Sequence, residues 1–230
     1  LSQSTEVQSN FPFNTTDYSP TGTELVTNGD FSATGSNLIT NPNFTDTGSD
    51  LIVNGIFNTS IPINSAGSGW YRDASYDVEY NNIGGVDGLK IERATSLTYV
   101  NAVKADSSDL LEPNSSYKIT YTILENNGTS SVYILAGAGD AVNGAITVGT
   151  HTIYIQSGAD DYLRFYNATN NTDYTITNII CEKLGEDWTL GTGWSVGDSK
   201  AICDGSTGNL IQSITGSTNK SFKLVFTISD

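Results

Sequence analysis

One segment of this chain can only be a strand, and the chain carries a near copy of it. Tyr117-Lys118-Ile119-Thr120-Tyr121-Thr122-Ile123 alternates apolar and polar side chains without a break. Residues 219–228 repeat residues 114–123 at an offset of 105, giving Phe222-Lys223-Leu224-Val225-Phe226-Thr227-Ile228. A period of two marks a strand with one buried face. Together with this segment, runs of the same kind fall at 51–57, 76–80, 89–93, 98–104, 117–124, 131–135, 147–156, 162–166 and 174–183. They are rich in Val, Ile, Tyr and Thr and separated by turn residues. About nine such strands with polar outer faces predict an all-β, two-sheet sandwich over residues 50–184.

A second repeat precedes it. Leu25-Val26-Thr27-Asn28-Gly29-Asp30-Phe31 is followed by Leu38-Ile39-Thr40-Asn41-Pro42-Asn43-Phe44 and Leu51-Ile52-Val53-Asn54-Gly55-Ile56-Phe57, a period of 13. Each copy is expected to form a short strand with a turn on both sides. One such rung cannot bury its apolar pair alone. Three chains wound together would bury Leu25, Val26, Phe31, Leu38, Ile39 and Phe44 along a common axis, making residues 24–49 the neck of a homotrimer. The alternative is that the copies are duplicated first strands packed on the domain that follows. Residues 1–23 lack periodicity and are either a tail or an extended arm that docks on a partner through Phe11 and Phe13. Residues 185–230 restart the sandwich, with Gly193-Trp194 echoing Gly69-Trp70. They stop where the first copy would still have strands to come. The chain begins at Leu1 and has no Met, so its true start is expected to lie upstream or to have been processed away; at the other end, either the chain continues past Asp230 or something else completes that sheet.

Charge narrows the partners. Ten basic against 25 acidic residues give a net charge of −15. Phosphate backbones and anionic membranes call for clustered Lys and Arg, and the chain has no such cluster. It shows neither an apolar run of about 18 residues nor a basic-then-apolar leader pattern.

Little in the sequence suggests catalysis. The single histidine, His151, alternates with Ile153 and Ile155 and is expected to be a core or rim residue. It also excludes a multi-histidine metal site. The Gly-x-Ser-x-Gly elbow is absent. The carboxylate pairs Asp160-Asp161 and Glu186-Asp187 sit in Gly-containing turns, where solvated acids are ordinary. Gly137-Ala138-Gly139-Asp140 precedes a strand and not a helix, so it reads as a sheet-connecting turn. Cys181 and Cys203 lack any framework or metal spacing and are expected to be separate thiols, the alternative being a disulfide between them.

Aromatic residues are the better candidates. If the aliphatic residues of 131–135, 147–156 and 162–166 point inward, then Tyr133, Tyr154, Tyr162, Arg164 and Tyr166 point out. Flat amphipathic rings suit sugar faces, and Arg supplies a rigid donor fork. The same side chains could instead face another subunit or plain solvent. Trp70 and Trp194 are expected to be packing residues.

Three phrases carry a family resemblance: the Asn-Gly-x-Phe opening with its later Gly-Trp, the Tyr-Lys-Ile-Thr-Tyr-Thr-Ile strand, and the closing Tyr174-Thr175-Ile176-Thr177-Asn178-Ile179-Ile180-Cys181-Glu182-Lys183-Leu184. Residues 50–184, and in part 185–230, resemble carbohydrate-binding-module-like jelly rolls, particularly those of bacteriophage tail and head fibres. The resemblance implies a jelly-roll-like sandwich preceded by short β-repeats, with a second, incomplete copy at the C-terminus. It implies a non-enzymatic virion protein for display or adhesion, homotrimeric, attached to other virion proteins through its N-terminal arm and exposed on the virion surface. The alternative is a secreted bacterial carbohydrate-binding module or extracellular filament subunit. The resemblance also implies a structural calcium near the first and last strands, with an Asp in the closing strand. Asn178 stands at that position in this chain.

Overall fold

A computed structural model gives the fold and describes residues 35–59, 69–71, 78–93, 99–102, 110–129, 131–137, 139, 141–166, 172–216 and 221–229. The chain divides into two units, residues 38–216 and a second made of residues 1–37 and 217–230. Among the described residues there are strands and no helix, hence none long and apolar enough to cross a membrane.

The strands are β1 (Thr47–Asp50), β2 (Trp70–Tyr71), β3 (Val78–Ile83), β4 (Val86–Arg93) and β5 (Tyr99–Ala102). Next come β6 (Ser116–Asn126), β7 (Val132–Ala136), β8 (Val142–Gly144), β9 (Gly149–Gln156) and β10 (Leu163–Tyr166). Then follow β11 (Thr172–Leu184), β12 (Thr189–Leu190), β13 (Trp194–Gly197), β14 (Lys200–Cys203) and β15 (Leu210–Ile211). The larger sheet runs β3-β4-β11-β6-β9, with β1 added to β11, and the smaller runs β2-β5-β10-β7-β8. All their pairings are antiparallel. Two short hairpin-like sheets, β12-β15 and β13-β14, follow.

Alternation in the sequence becomes burial in the fold. Tyr117, Ile119, Tyr121 and Ile123 of β6 are buried beneath the larger sheet, with Leu89, Ile91, Tyr174, Ile176 and Cys181 from its other strands. They share one core with Trp70, Val132, Ile134, Leu163 and Phe165 of the smaller sheet. The two inner faces meet at Tyr121 and Phe165, whose ring centroids lie 6.3 Å apart, nearly edge-on at 70°. That is the packing of a β-sandwich. The expected all-β sandwich is therefore the architecture observed. The turn between β3 and β4 uses Gly84 and Gly85 at φ 63° and 89°. Positive φ at both central residues is the mark of a type I′ hairpin turn, whose twist matches that of the strands.

Burial makes two phenols titrate late. The Tyr117 hydroxyl accepts the Glu112 N–H at 2.7 Å, and the Tyr121 hydroxyl donates to the Ala145 carbonyl at 3.0 Å. Desolvation pushes both phenols up from 10 to about 12, against the smaller opposing effect of those hydrogen bonds. Below pH 10 both states of the chain hold these protons, so stability does not depend on them. Between pH 10 and 12 only the unfolded chain releases them, so the fold loses stability as pH rises through that window. Alkaline titration by tyrosine absorbance is expected to show these two ionising only together with unfolding.

The strand expected over 51–57 is not formed. The third copy of the phrase folds as turns, and so does the second. Asn41 and Phe44 stand at φ 44° and 53°, and Asn54 and Phe57, thirteen residues on, at φ 57° and 54°. The Asn41 side chain accepts from Asp46 N–H at 3.1 Å, and Asn54 accepts from Thr59 N–H at 3.1 Å. Asn tolerates the left-handed region because its short amide bonds locally to the backbone. The neighbouring strand, β1, falls between the two copies. The third copy instead runs beside β11: Leu51 N–H donates to Cys181 O at 2.9 Å, and Ile179 N–H donates to Gly55 O at 3.0 Å. A Cβ at Gly55 would collide with the Ile179 carbonyl, which explains the glycine in the phrase.

Each of these copies grips a tryptophan. Phe57 packs on Trp70 with centroids 5.1 Å apart, and the Trp70 indole donates to Val53 O at 2.8 Å. Phe44 packs on Trp188 at 5.1 Å, and the Trp188 indole donates to Asn41 O at 3.2 Å. The second copy is further held by Gln212, which accepts from Thr40 N–H and donates to Thr40 O, both at 2.9 Å. The Trp70 clasp closes on the sandwich and the Trp188 clasp on the segment after it. Trp194, which echoes Trp70 in sequence, donates to Gly208 O at 2.9 Å.

In the second unit the described residues are 35–37 and 221–229. None is in a strand. The strand expected at 221–228 from its match to β6 is therefore absent. Phe222, Leu224, Val225, Phe226 and Ile228 are all exposed.

Candidate functional site

The smaller sheet brings most of the candidate residues onto its outer face. On β10, Leu163 and Phe165 are buried, which turns Arg164 and Tyr166 outward; on β7, Val132, Ile134 and Ala136 are buried, which turns Tyr133 and Leu135 outward. Pairing of β10 with β7 sets Tyr166 opposite Tyr133 and Arg164 opposite Leu135. The two tyrosine rings lie 5.4 Å apart, tilted by 38°. Tyr162, just before β10, carries the Arg164 guanidinium 4.5 Å above its ring centre. That stacking fixes a flat donor fork beside the tyrosine pair. Partial burial pushes the Tyr166 phenol up, with the Tyr133 phenol adding to the shift and Arg164 opposing it.

Register extends this face across the sheet. One row runs Tyr99, Tyr166, Tyr133, Asn143, and the next runs Tyr71, Asn101, Arg164, Leu135. Rows on one face stand about 7 Å apart. Tyr99 and Asn101 enter these rows by their register positions on β5. Sequence reasoning did not pick out Tyr71, Leu135 or the register position of Tyr99. The signal for Tyr71 is its place beside Trp70: if the indole is buried, the next residue on a strand faces out.

Tyr154 is elsewhere. It lies on β9, at the edge of the larger sheet, 41% exposed, and its Cβ approaches Gly197 of β13. Four of the five expected ligand residues therefore share one neighbourhood and the fifth does not.

Of the expected neck residues, Leu25, Val26 and Phe31 lie outside the described residues, as do the arm residues Phe11 and Phe13. Leu38 is 49% exposed, Ile39 is partly buried, and Phe44 is packed on Trp188.

The donors near the implied calcium position do not fit that ion. Asn178 is exposed, at φ 49°, where the register of β11 on β6 shifts. The carboxylate of Asp50, at the end of β1, already accepts the N–H groups of Ile52 and Cys181, both at 2.9 Å. Among the described residues no group of three or more Asp, Glu, His or Cys is arranged to hold a metal ion. Calcium wants six to eight oxygens, several of them carboxylate. His151 is held by its own loop, with Nε2 2.6 Å from the Thr147 carbonyl oxygen. The Cys181 thiol is buried and pushed up by desolvation, and Cys203 is exposed; both are free.

A scan against protein-family models finds no match, and a search of curated proteins finds none either. Solved structures include similar folds at low identity. A family 16 carbohydrate-binding module is 17% identical with a TM-score of 0.38, and the match covers 57% of this chain and 98% of that module. For a family 29 carbohydrate-binding module the identity is 16% and the TM-score 0.35, over 58% of this chain and 89% of that one. The enzymatically active domain of a tailspike from bacteriophage CBA120 is 12% identical with a TM-score of 0.34, over 58% of this chain and 21% of that one.

Proposed function

We propose that this chain is a carbohydrate-binding display module and that its ligand lies on the outer face of the smaller sheet. The observation that carries the reading is the tilted pair Tyr133–Tyr166 with Arg164 stacked on Tyr162 beside it. Paired rings offer sugar C–H faces an apolar platform, and the phenols, guanidinium and Asn143 supply hydrogen bonds around it. Such a face stacks and orients a ligand; acid–base hydrolysis would need two carboxylates across it, and Tyr133, Tyr162, Arg164, Tyr166 and Asn143 supply none. The test is affinity electrophoresis of the intact chain through gels containing neutral soluble polysaccharides. Retardation by at least one of them is expected. Migration unchanged by every polysaccharide, at millimolar sugar equivalents, ends the reading.

The finer reading places the module on a bacteriophage fibre, at the virion surface, trimerised through residues 24–49 and attached through Phe11 and Phe13 to other virion proteins. What supports it is the repeated phrase and its resemblance to fibre modules. A secreted bacterial carbohydrate-binding module is the second reading, favoured by the packing of Phe44 on Trp188 within its own chain. A side chain spent inside the chain is not available to a trimer axis. Light scattering separates the two: a stable trimer supports the fibre, a monomer the secreted module.

A further inference from the structure

We infer that a cleft at one end of the larger sheet is a second binding site, which takes a single neutral sugar ring. It lies between the loop that enters β6 and the turn that leaves β11, with Pro113, Asn114, Lys183, Glu186, Trp188 and Leu190 among its walls. Its volume is about 190 Å³. Sites for drug-sized ligands run from about 300 Å³ upward, so this one has room for one small ring. The cleft shares no residue with the tyrosine face, and its occupancy does not depend on that face binding sugar.

Both walls are fixed before any ligand arrives. The loop is tied down by the buried Ser157, whose hydroxyl accepts the Ser115 N–H at 3.0 Å and donates to the Glu112 carbonyl at 2.6 Å. Asn114 stands in that loop at φ 54°, a conformation asparagine tolerates. On the opposite wall the Trp188 N–H donates to the Gly185 carbonyl at 2.9 Å, closing a tight turn. The indole is then held by Phe44 and the Asn41 carbonyl. A preorganised wall loses little freedom on binding. The lining selects the ligand. The indole, Pro113 and Leu190 offer apolar surface to the C–H face of a ring. The Asn114 amide and the Glu186 carboxylate hydrogen-bond to none of the described residues, which leaves both for hydroxyls. Lys183 is paired with Glu112 at 2.6 Å, and Glu186 leaves one negative charge over. A carboxylate or phosphate group would meet that charge unopposed. A neutral ring bearing several hydroxyls satisfies the apolar and the polar lining together.

Saturation-transfer difference NMR on the intact chain tests the site, with the methyl glycosides of glucose, galactose, mannose, xylose and N-acetylglucosamine as probes. Transfer to at least one of them is expected. Trp188→Ala removes the stacking surface, and Asn114→Gly removes the amide while keeping the positive φ of the loop. Each is expected to weaken that binding roughly fivefold or more. Circular dichroism checks that the variants are folded, and Asn114→Gly alone decides if Trp188→Ala is not. The chain carrying Tyr133→Ala and Tyr166→Ala tells the two sites apart, because transfer from the cleft persists in it. Transfer to none of the glycosides overturns the inference. So does transfer that Asn114→Gly leaves unchanged, or that the tyrosine double variant abolishes. Retardation by polysaccharide reads the tyrosine face separately, so the two readings can fail independently.

Discussion

Trp70→Ala is expected to cost the sandwich about 4 kcal/mol, a large part of the stability of a domain this size. The side chain is fully buried. It is packed between Phe57, at 5.1 Å, and Phe165, at 6.3 Å. Truncation leaves a cavity bounded by two rings that are themselves fixed, Phe57 by a backbone turn and Phe165 by the central strand of the smaller sheet. A cavity whose walls cannot close costs the lost transfer energy and the lost contacts together. The Val53 carbonyl also loses its indole donor, leaving a polar group unpaired. Trp188→Ala removes the equivalent indole from a partly buried site and is expected to cost about half as much. Urea unfolding followed by far-ultraviolet circular dichroism measures both, since two other tryptophans complicate fluorescence. A loss below about 1 kcal/mol at Trp70 would mean that the clasp adds little to the core.

The double substitution Tyr133→Ala with Tyr166→Ala is expected to abolish measurable retention on whichever polysaccharide retards the native chain. A central stacking ring in a binding face is typically worth about 2 kcal/mol, or roughly thirtyfold in Kd, so losing both exceeds the range of a weak-binding assay. Folding should survive: a cross-strand pair on a partly exposed face contributes at most about 1 kcal/mol. Tyr154→Ala is the control. It removes an exposed tyrosine from the other sheet and should leave retention unchanged. If all three substitutions weaken retention equally, the ligand is not on the tyrosine pair. If the double variant changes the oligomeric state and not retention, the face is a subunit contact.

The period-two pattern already told which side of its strand each residue takes, because successive side chains must point to opposite faces. It placed β6, β7, β9, β10 and β11 to within a few residues and turned Tyr133, Arg164 and Tyr166 outward. It read the run 51–57 as a strand and so missed the left-handed turns at Asn41 and Asn54, which local amide bonds make accessible to asparagine. Pattern alone cannot say which strands lie side by side. That depends on closing long loops around a shared core, a global balance of burial against chain entropy. Hence the union of Tyr133 with Tyr166, and the separation of Tyr154 from both, came only with the tertiary fold. So did the partner of each phrase: Phe44 and Phe57 were legible as apolar anchors, but not the indoles they grip. The same limit governs 221–229, where the residues specify an extended, one-sided strand and only its neighbours decide whether it becomes one.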